Sequence, residues 1–278
     1  MSHPQDWRLE AVRPLIGLWR GPHSLQVGLD AQAVILEPVP TAALGLLGAL
    51  NEPHTLTELG ELCPELSPHW LDALLQLLTD AGLIRRWRAA PTRSVVVWGA
   101  GPLAERIHRG LQRAELQPLP LGQRSWPAAS RPLIVLAAGT IEPDRWLTDR
   151  LAATGHCTLV VRAESGRGVI GPIVSPELGP CLRCLDLLRS ERDPQWPLLL
   201  AQACRTRVAP DARLREWLVG EAVAEVARWC AGQPPELVGR TLELRLPELH
   251  RTQSTWPLHP ACRCQEQSPA QRLGTLAG

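Results

Sequence analysis

Val95-Val96-Val97-Trp98-Gly99-Ala100-Gly101-Pro102-Leu103-Ala104 is an apolar run that breaks into a GxGxxA turn. An unbroken β-branched run favours a strand covered on both faces. The glycines permit a tight turn, and Pro102 suits the first position of a helix, which the pattern carries to about Arg113. Downstream, Leu133–Ala137 is a second apolar strand, Arg145–Ala153 a helix and residues 158–161 a third strand. Strands alternating with helices predict an α/β domain on a parallel, doubly wound sheet. Residues 166–174 have hairpin composition, and residues 216–230 read as a long helix with one apolar face. Residues 241–246, T-L-E-L-R-L, alternate as a half-buried strand. The domain is expected over residues 93–265, with a polar tail over 266–278.

In this context Gly99, Gly101 and Ala104 could bring backbone N–H groups to a phosphate at a helix N-terminus. A dinucleotide site also needs a ribose-binding acid roughly 20 residues on, and residues 116–123, LQPLPLGQ, contain none. A tight strand-to-helix turn requires the glycines equally, so both readings stand. The sequence has no lysine, and the strand Leu133–Ala137 runs into Ala138-Gly139-Thr140-Ile141, which carries no acid. ATP and its magnesium would find few ligands here, and ATP is not expected as a cofactor. The sequence also has no Gly-x-Ser-x-Gly elbow and no HExxH pair. Asp144, Asp149, Asp186 and Asp193 show no acid/base spacing and are expected on the solvated surface. No catalytic residue is assigned.

Upstream, residues 10–88 read as a separate small module. Residues 15–19, 24–29 and 33–36 are short β-compatible runs separated by turn-type breaks. Residues 40–50 form a compact apolar helix. Thr55-Leu56-Thr57-Glu58 is a capping box opening a second helix. Ser67-Pro68 opens a third, with Leu71, Leu74, Leu75 and Leu78 on one face. Residues 83–87 close the module as a strand. This order suggests a winged-helix-like α+β module on one three-stranded sheet, with an edge open to an added strand. Residues 89–92 are the expected linker. DNA binding is the usual role of a winged helix. However, helix 67–81 has no arginine and carries Asp72 and Asp80, which disfavours phosphate contact.

Cys181-Leu182-Arg183-Cys184 and Cys262-Arg263-Cys264 form a CxxC and a CxC pair. Two such pairs fit four-thiolate zinc. The competing readings are a redox CxxC and His259 replacing one sulfur. Four protein ligands leave no open position, so the zinc is expected to be structural. Cys63, Cys157, Cys204 and Cys230 read as small buried hydrophobes.

The 278 residues leave room for two cores, and the formal net charge of +1 gives no bulk drive toward nucleic acid or an anionic membrane. All 29 basic residues are arginines. With no Phe or Tyr and eleven Trp, aliphatic side chains must fill the interior. The N-terminus lacks a signal-peptide pattern, and no apolar run reaches the ~18 residues of a membrane span. A cytoplasmic location is expected, with no nucleic-acid or membrane partner.

The order of features resembles the leader-peptide-binding proteins of thiazole/oxazole-modified peptide biosynthesis, the ocin-ThiF-like cyclodehydratase partners. The strongest match is Gly179-Pro180-Cys181-Leu182-Arg183-Cys184-Leu185-Asp186, continuing to Arg192-Asp193-Pro194-Gln195-Trp196-Pro197. The second is Trp256-Pro257-Leu258-His259-Pro260-Ala261-Cys262-Arg263-Cys264. The resemblance implies that residues 10–88 are a PqqD-like element holding a precursor's leader. The leader would add a strand at Ala33, Val34, Ile35 and Leu36 and lie against Trp70, Leu71, Leu74 and Leu78. It implies a ThiF-type (ubiquitin-activating-like), Rossmann-like domain over 93–265 with structural zinc. It also implies a YcaO-type cyclodehydratase as partner, and it allows a homodimer. A ThiF-type adenylating enzyme needs an acid after its second strand and a lysine near the nucleotide, and both are missing here. The expectation is a non-catalytic scaffold, with the cyclodehydratase on a separate chain. The alternatives are an active ATP-dependent adenylating enzyme and a zinc-containing DNA-binding regulator.

Overall fold

The computed structural model describes residues 7–29, 33–88, 94–121, 132–175 and 179–264. The chain divides into two compact units, Met1–Ala89 and Ala90–Gly278.

The first unit contains β1 (Trp7–Ala11), β2 (Gly17–Gly21), β3 (Ser24–Val27), β4 (Val34–Leu36), α1 (Ala43–Ala49), β5 (His54–Thr55), α2 (Leu56–Leu62), α3 (Pro68–Asp80) and β6 (Ile84–Arg88). One three-stranded sheet was expected; two are present, ordered β5-β1-β6 and β2-β3-β4. The expectation lacked β1, which starts ahead of residue 10. Its sequence, WRLEA, buries only Leu9, so it has too little alternation to announce itself. Tertiary pairing with β6, from Trp7↔Arg88 to Ala11↔Ile84, makes it a strand. The capping box of α2 is formed: Glu58 N donates to Thr55 Oγ1 at 3.1 Å and Thr55 N donates to Glu58 Oε2 at 2.7 Å. Ser67 caps α3 by accepting from Trp70 N. The core is aliphatic, built from Leu25, Leu36, Leu46, Leu47, Leu59, Leu71, Leu74 and Leu78 among others.

The second unit contains β7 (Val95–Trp98), α4 (Pro102–Arg113), β8 (Leu133–Ala137), α5 (Arg145–Ala153), β9 (Thr158–Glu164), β10 (Arg167–Val174), α6 (Leu182–Arg192), α7 (Trp196–Ala203), α8 (Ala212–Cys230), β11 (Arg240–Arg245) and β12 (His250–Thr255). The six strands form one mixed sheet in the order β12-β11-β10-β9-β8-β7. Only β7, β8 and β9 run parallel; β10, β11 and β12 are added antiparallel. The sheet is therefore mixed where an all-parallel one was expected, while helices cover both of its faces. Among the described residues the strand order is monotonic. Beside β7, the segment after α4 contributes one backbone bond, Leu119 N to Val95 O at 2.8 Å, and no strand among the described residues. β12 was not expected because HRTQST is polar throughout and buries no residue. Among the described residues no helix is long and apolar enough to cross a membrane.

Candidate metal centre and its surroundings

Cys181 is the N-cap of α6 and Cys184 sits in its first turn, an arrangement that turns both sulfurs toward one side. The chain returns after β12, and a turn closed by Cys262 N donating to His259 O at 2.9 Å delivers the second pair. The four sulfurs lie within 4.8 Å of one another. Cys181 Sγ is 3.9 Å from Cys184 Sγ and 3.6 Å from Cys262 Sγ, and Cys184 Sγ is 3.5 Å from Cys264 Sγ. A tetrahedron of ~2.3 Å Zn–S bonds has edges of about 3.8 Å, so the donor set fits a four-thiolate ion. Burial raises the Cys181 thiol well above the ordinary range, and pushes Cys264 up to about 12. Cys184 is also raised by burial, but backbone hydrogen bonds at His259 and Cys181 and the neighbouring thiols bring it below the ordinary value. A cation would supply the charge that four converging thiolates need.

His259 is not among the converging donors. Its Nδ1 accepts from Ala261 N at 3.1 Å, which leaves Nε2 to donate to Glu191 Oε1 at 2.8 Å. Both nitrogens are therefore used to pin the CxC turn to α6, and the alternative of a histidine ligand falls away.

The middle of α6 is held by a network that sequence reasoning missed. Glu142, 3% exposed, accepts from Arg145 at 2.9 Å and Arg189 at 3.1 Å and pairs with Arg162 at 3.2 Å. Arg145 also forks onto both oxygens of Asp186, at 2.6 and 2.9 Å. Burial alone would raise the Glu142 carboxyl, but the guanidiniums of Arg162, Arg145 and Arg189 outweigh it and hold it below the usual carboxylate range. Arg189 stacks on Trp196 and Trp256, and Trp196 Nε1 donates to Asp186. Asp186 is thus an internal anchor, contrary to the solvated expectation. Asp149 pairs with Arg183 at the exposed side of α6, Asp144 caps α5 and Asp193 accepts from Gln195 N. Glu142 and Arg145 are three residues apart, as are Asp186 and Arg189 on α6, but only the fold brings these two pairs and Arg162 together. Cys63 is buried, whereas Cys157, Cys204 and Cys230 are half-buried.

The GxGxxA turn has its own structural cause. A Cβ on Gly99 would stand 2.4 Å from the Ala137 carbonyl oxygen, and Gly101 holds φ +88° as the N-cap of α4. Ala104 is buried beneath the turn. A cleft of about 600 Å³ opens at the turn, bordered by Thr140, Asp144, Arg207 and Arg215. Asp144 is committed to Trp146 N.

In the first unit, Ala33 precedes β4, whose Val34, Ile35 and Leu36 pair, among the described residues, with β3 alone. Ile35 is exposed and Leu36 is buried. Leu71, Leu74 and Leu78 are at most 5% exposed and form the face on which α3 packs into the core. They lie beneath any peptide surface instead of on it. Trp70 remains half-buried and borders a cavity of about 410 Å³ with His23, Val39, Pro40 and Leu66.

A scan against protein-family models gives no match, and comparison with curated proteins gives none. Solved structures do share the fold. A heterocyclase in complex with substrate and cofactor superposes with TM-score 0.62 at 17% identity, over 92% of this chain and 39% of that one. The heterocyclase TruD gives 0.58 at 16% identity, over 93% and 42%. E. coli MccB with AMPCPP and MccA gives 0.56 at 10% identity, over 94% and 100%. The chain thus spans about two-fifths of the heterocyclases and the whole of MccB. What the likeness establishes is a mixed α/β fold, with its six-stranded sheet, common to heterocyclases and to MccB.

Proposed function

We propose that the protein is a non-catalytic scaffold that binds the leader of a ribosomally made precursor peptide. Its N-terminal unit acts as a PqqD-like element, and it presents the core peptide to a YcaO-type cyclodehydratase on a partner chain. That partner converts Cys, Ser or Thr of the core into azolines. The observation that carries this reading is the open edge of β4, with Ile35 exposed. An extended leader adds a strand there through main-chain hydrogen bonds. A neighbouring side chain can also settle against Trp70 in the cavity at the start of α3. The fold shared with a heterocyclase solved with substrate supports the assignment. Holding the leader raises the effective concentration of the core at the partner enzyme without any bond chemistry here.

Cys181, Cys184, Cys262 and Cys264 hold one structural zinc. With four thiolates the ion has no open position, and its part is to fasten the start of α6 to the segment after β12. Fluorescence polarisation of a labelled cognate leader with the full chain tests leader capture: binding at micromolar Kd or tighter is expected, and no binding would refute it.

The second reading is an ATP-dependent adenylating enzyme, favoured by the cleft at Gly99–Gly101 with Arg207 and Arg215 on its border and by the likeness to MccB solved with AMPCPP. ATP–pyrophosphate exchange separates the two. The scaffold gives no exchange above background with any leader present.

A further inference from the structure

We infer that the peptide captured by the N-terminal unit is basic, and that one of its lysine or arginine side chains enters the cavity between Trp70 and Glu65. This rests on the leader-binding reading and adds the chemistry of what is bound. The cavity, of about 410 Å³, takes its walls from His23 in the turn after β2, from residues 38–40 after β4 and from the segment that opens α3. Val39 N donates to His23 O at 3.0 Å, which ties the first two together, and Ser67 accepts from Trp70 N. Val39 and Leu66 are buried and give an apolar floor, while Glu65 stands exposed at the rim. An apolar floor, an indole wall and one carboxylate are the groups that hold a long aliphatic stem ending in a cation. Elsewhere the chain covers such indoles itself: Arg150 stands over Trp146, and Arg189 over Trp196 and Trp256. Among the described residues no arginine stands over Trp70.

The charge around the cavity has one sign. Residues 21–84 contain eight acids and neither arginine nor lysine, although the whole chain carries a formal +1. This stretch builds β3, β4, α1, α2 and α3. Glu37 directly follows β4, Glu65 precedes α3 and Asp72 lies on it, and all three are exposed. Glu58 is paired with Arg8, but among the described residues these three have no ion-pair partner. Unbalanced like charges repel one another, and a cationic partner relieves that repulsion. An acidic or phosphate-bearing ligand would meet the same field with the wrong sign. Residues 38–40 continue from β4, so the cavity lies beside the edge proposed for the leader. A basic peptide satisfies the cavity and its surroundings together.

The test is selection from a displayed library of random dodecapeptides on the immobilised full chain, followed by fluorescence polarisation of the labelled winner. Winners should carry net positive charge and a lysine or arginine at one fixed position. Alanine at that position of the peptide should raise Kd at least tenfold, and added salt should weaken the wild-type complex. Glu65→Lys should also raise Kd at least tenfold, and should regain binding when the peptide's cation is changed to glutamate. Trp70→Ala should raise Kd about fivefold. Asp80→Lys makes the same charge change about 15 Å from Trp70 along α3, beyond the screening length, and should leave Kd within twofold. If Trp70→Ala misfolds by circular dichroism, the surface variant Glu65→Lys carries the test. Winners that are neutral or acidic, or that bind Glu65→Lys as tightly as the wild type, would overturn the inference and leave leader capture standing. No winner at all would overturn both.

Discussion

Glu142 is buried among three guanidiniums, and its surroundings make a sharp prediction. Three guanidiniums converge on one buried carboxylate. Removing the negative charge leaves them facing one another, and breaking a buried pair costs about 3–5 kcal/mol. Glu142→Gln should lower stability by about that amount in a denaturant titration at pH 7. The pH dependence has a definite sign. The folded carboxyl is held below its ordinary value, so its contribution is complete above the unfolded carboxylate range near pH 4.3. It is lost as pH falls through the lower, folded value. The stability gap between wild type and Glu142→Gln should therefore be constant from pH 6 to 8 and close in acid. The four cysteines make the second residue-scale prediction. Purified protein should contain one zinc per chain. Cys181→Ser/Cys262→Ser should lose the zinc, with a fall in Tm on the order of 10 °C. Fully folded, metal-free wild type would contradict the assignment.

Among the elements, α6 carries most of the organisation of its unit. Its first turn holds Cys181 and Cys184, its middle holds Asp186 and Arg189, and Glu191 reaches His259 in the returning turn. β4 carries the proposed recognition step. Ile35→Pro removes one main-chain donor from the edge and should abolish leader binding while leaving zinc content unchanged. Isothermal titration and metal analysis on the same sample would separate the two effects. The elements also show what a sequence discloses. The capping box at Thr55 and Glu58 and the Ser67-Pro68 start of α3 are local signals, and both helices begin there. The spacing of the two cysteine pairs likewise led to their meeting point. β1 and β12 were silent because WRLEA and HRTQST lack apolar alternation; each is a strand because a neighbour pairs with it. The Glu142 network was silent because Glu142 and Arg145 meet Arg162 on β9 and Asp186 and Arg189 on α6 only through the tertiary fold. The stripe of Leu71, Leu74 and Leu78 was legible as a helix face, yet that face packs inward, as a helical apolar stripe usually does.

At the scale of the molecule, the second unit keeps the strand–turn–helix of a nucleotide fold, with a cleft of about 600 Å³ at the turn. Its glycines are accounted for by Ala137 and by the N-cap of α4. Among the described residues the strand order has no reversal, and the sequence offers no lysine. The returning turn after β12 meets the first turn of α6 at the cysteine cluster, and the arginine network holds the middle of that helix. In the proposed reading, binding belongs to the first unit and bond chemistry to a partner chain. Fluorescence polarisation of a labelled cognate leader, with the wild type and with Ile35→Pro, bears on this division most directly. Saturable wild-type binding at micromolar Kd or tighter, lost in Ile35→Pro, is the predicted result. No wild-type binding, or equal binding by both proteins, would contradict the account.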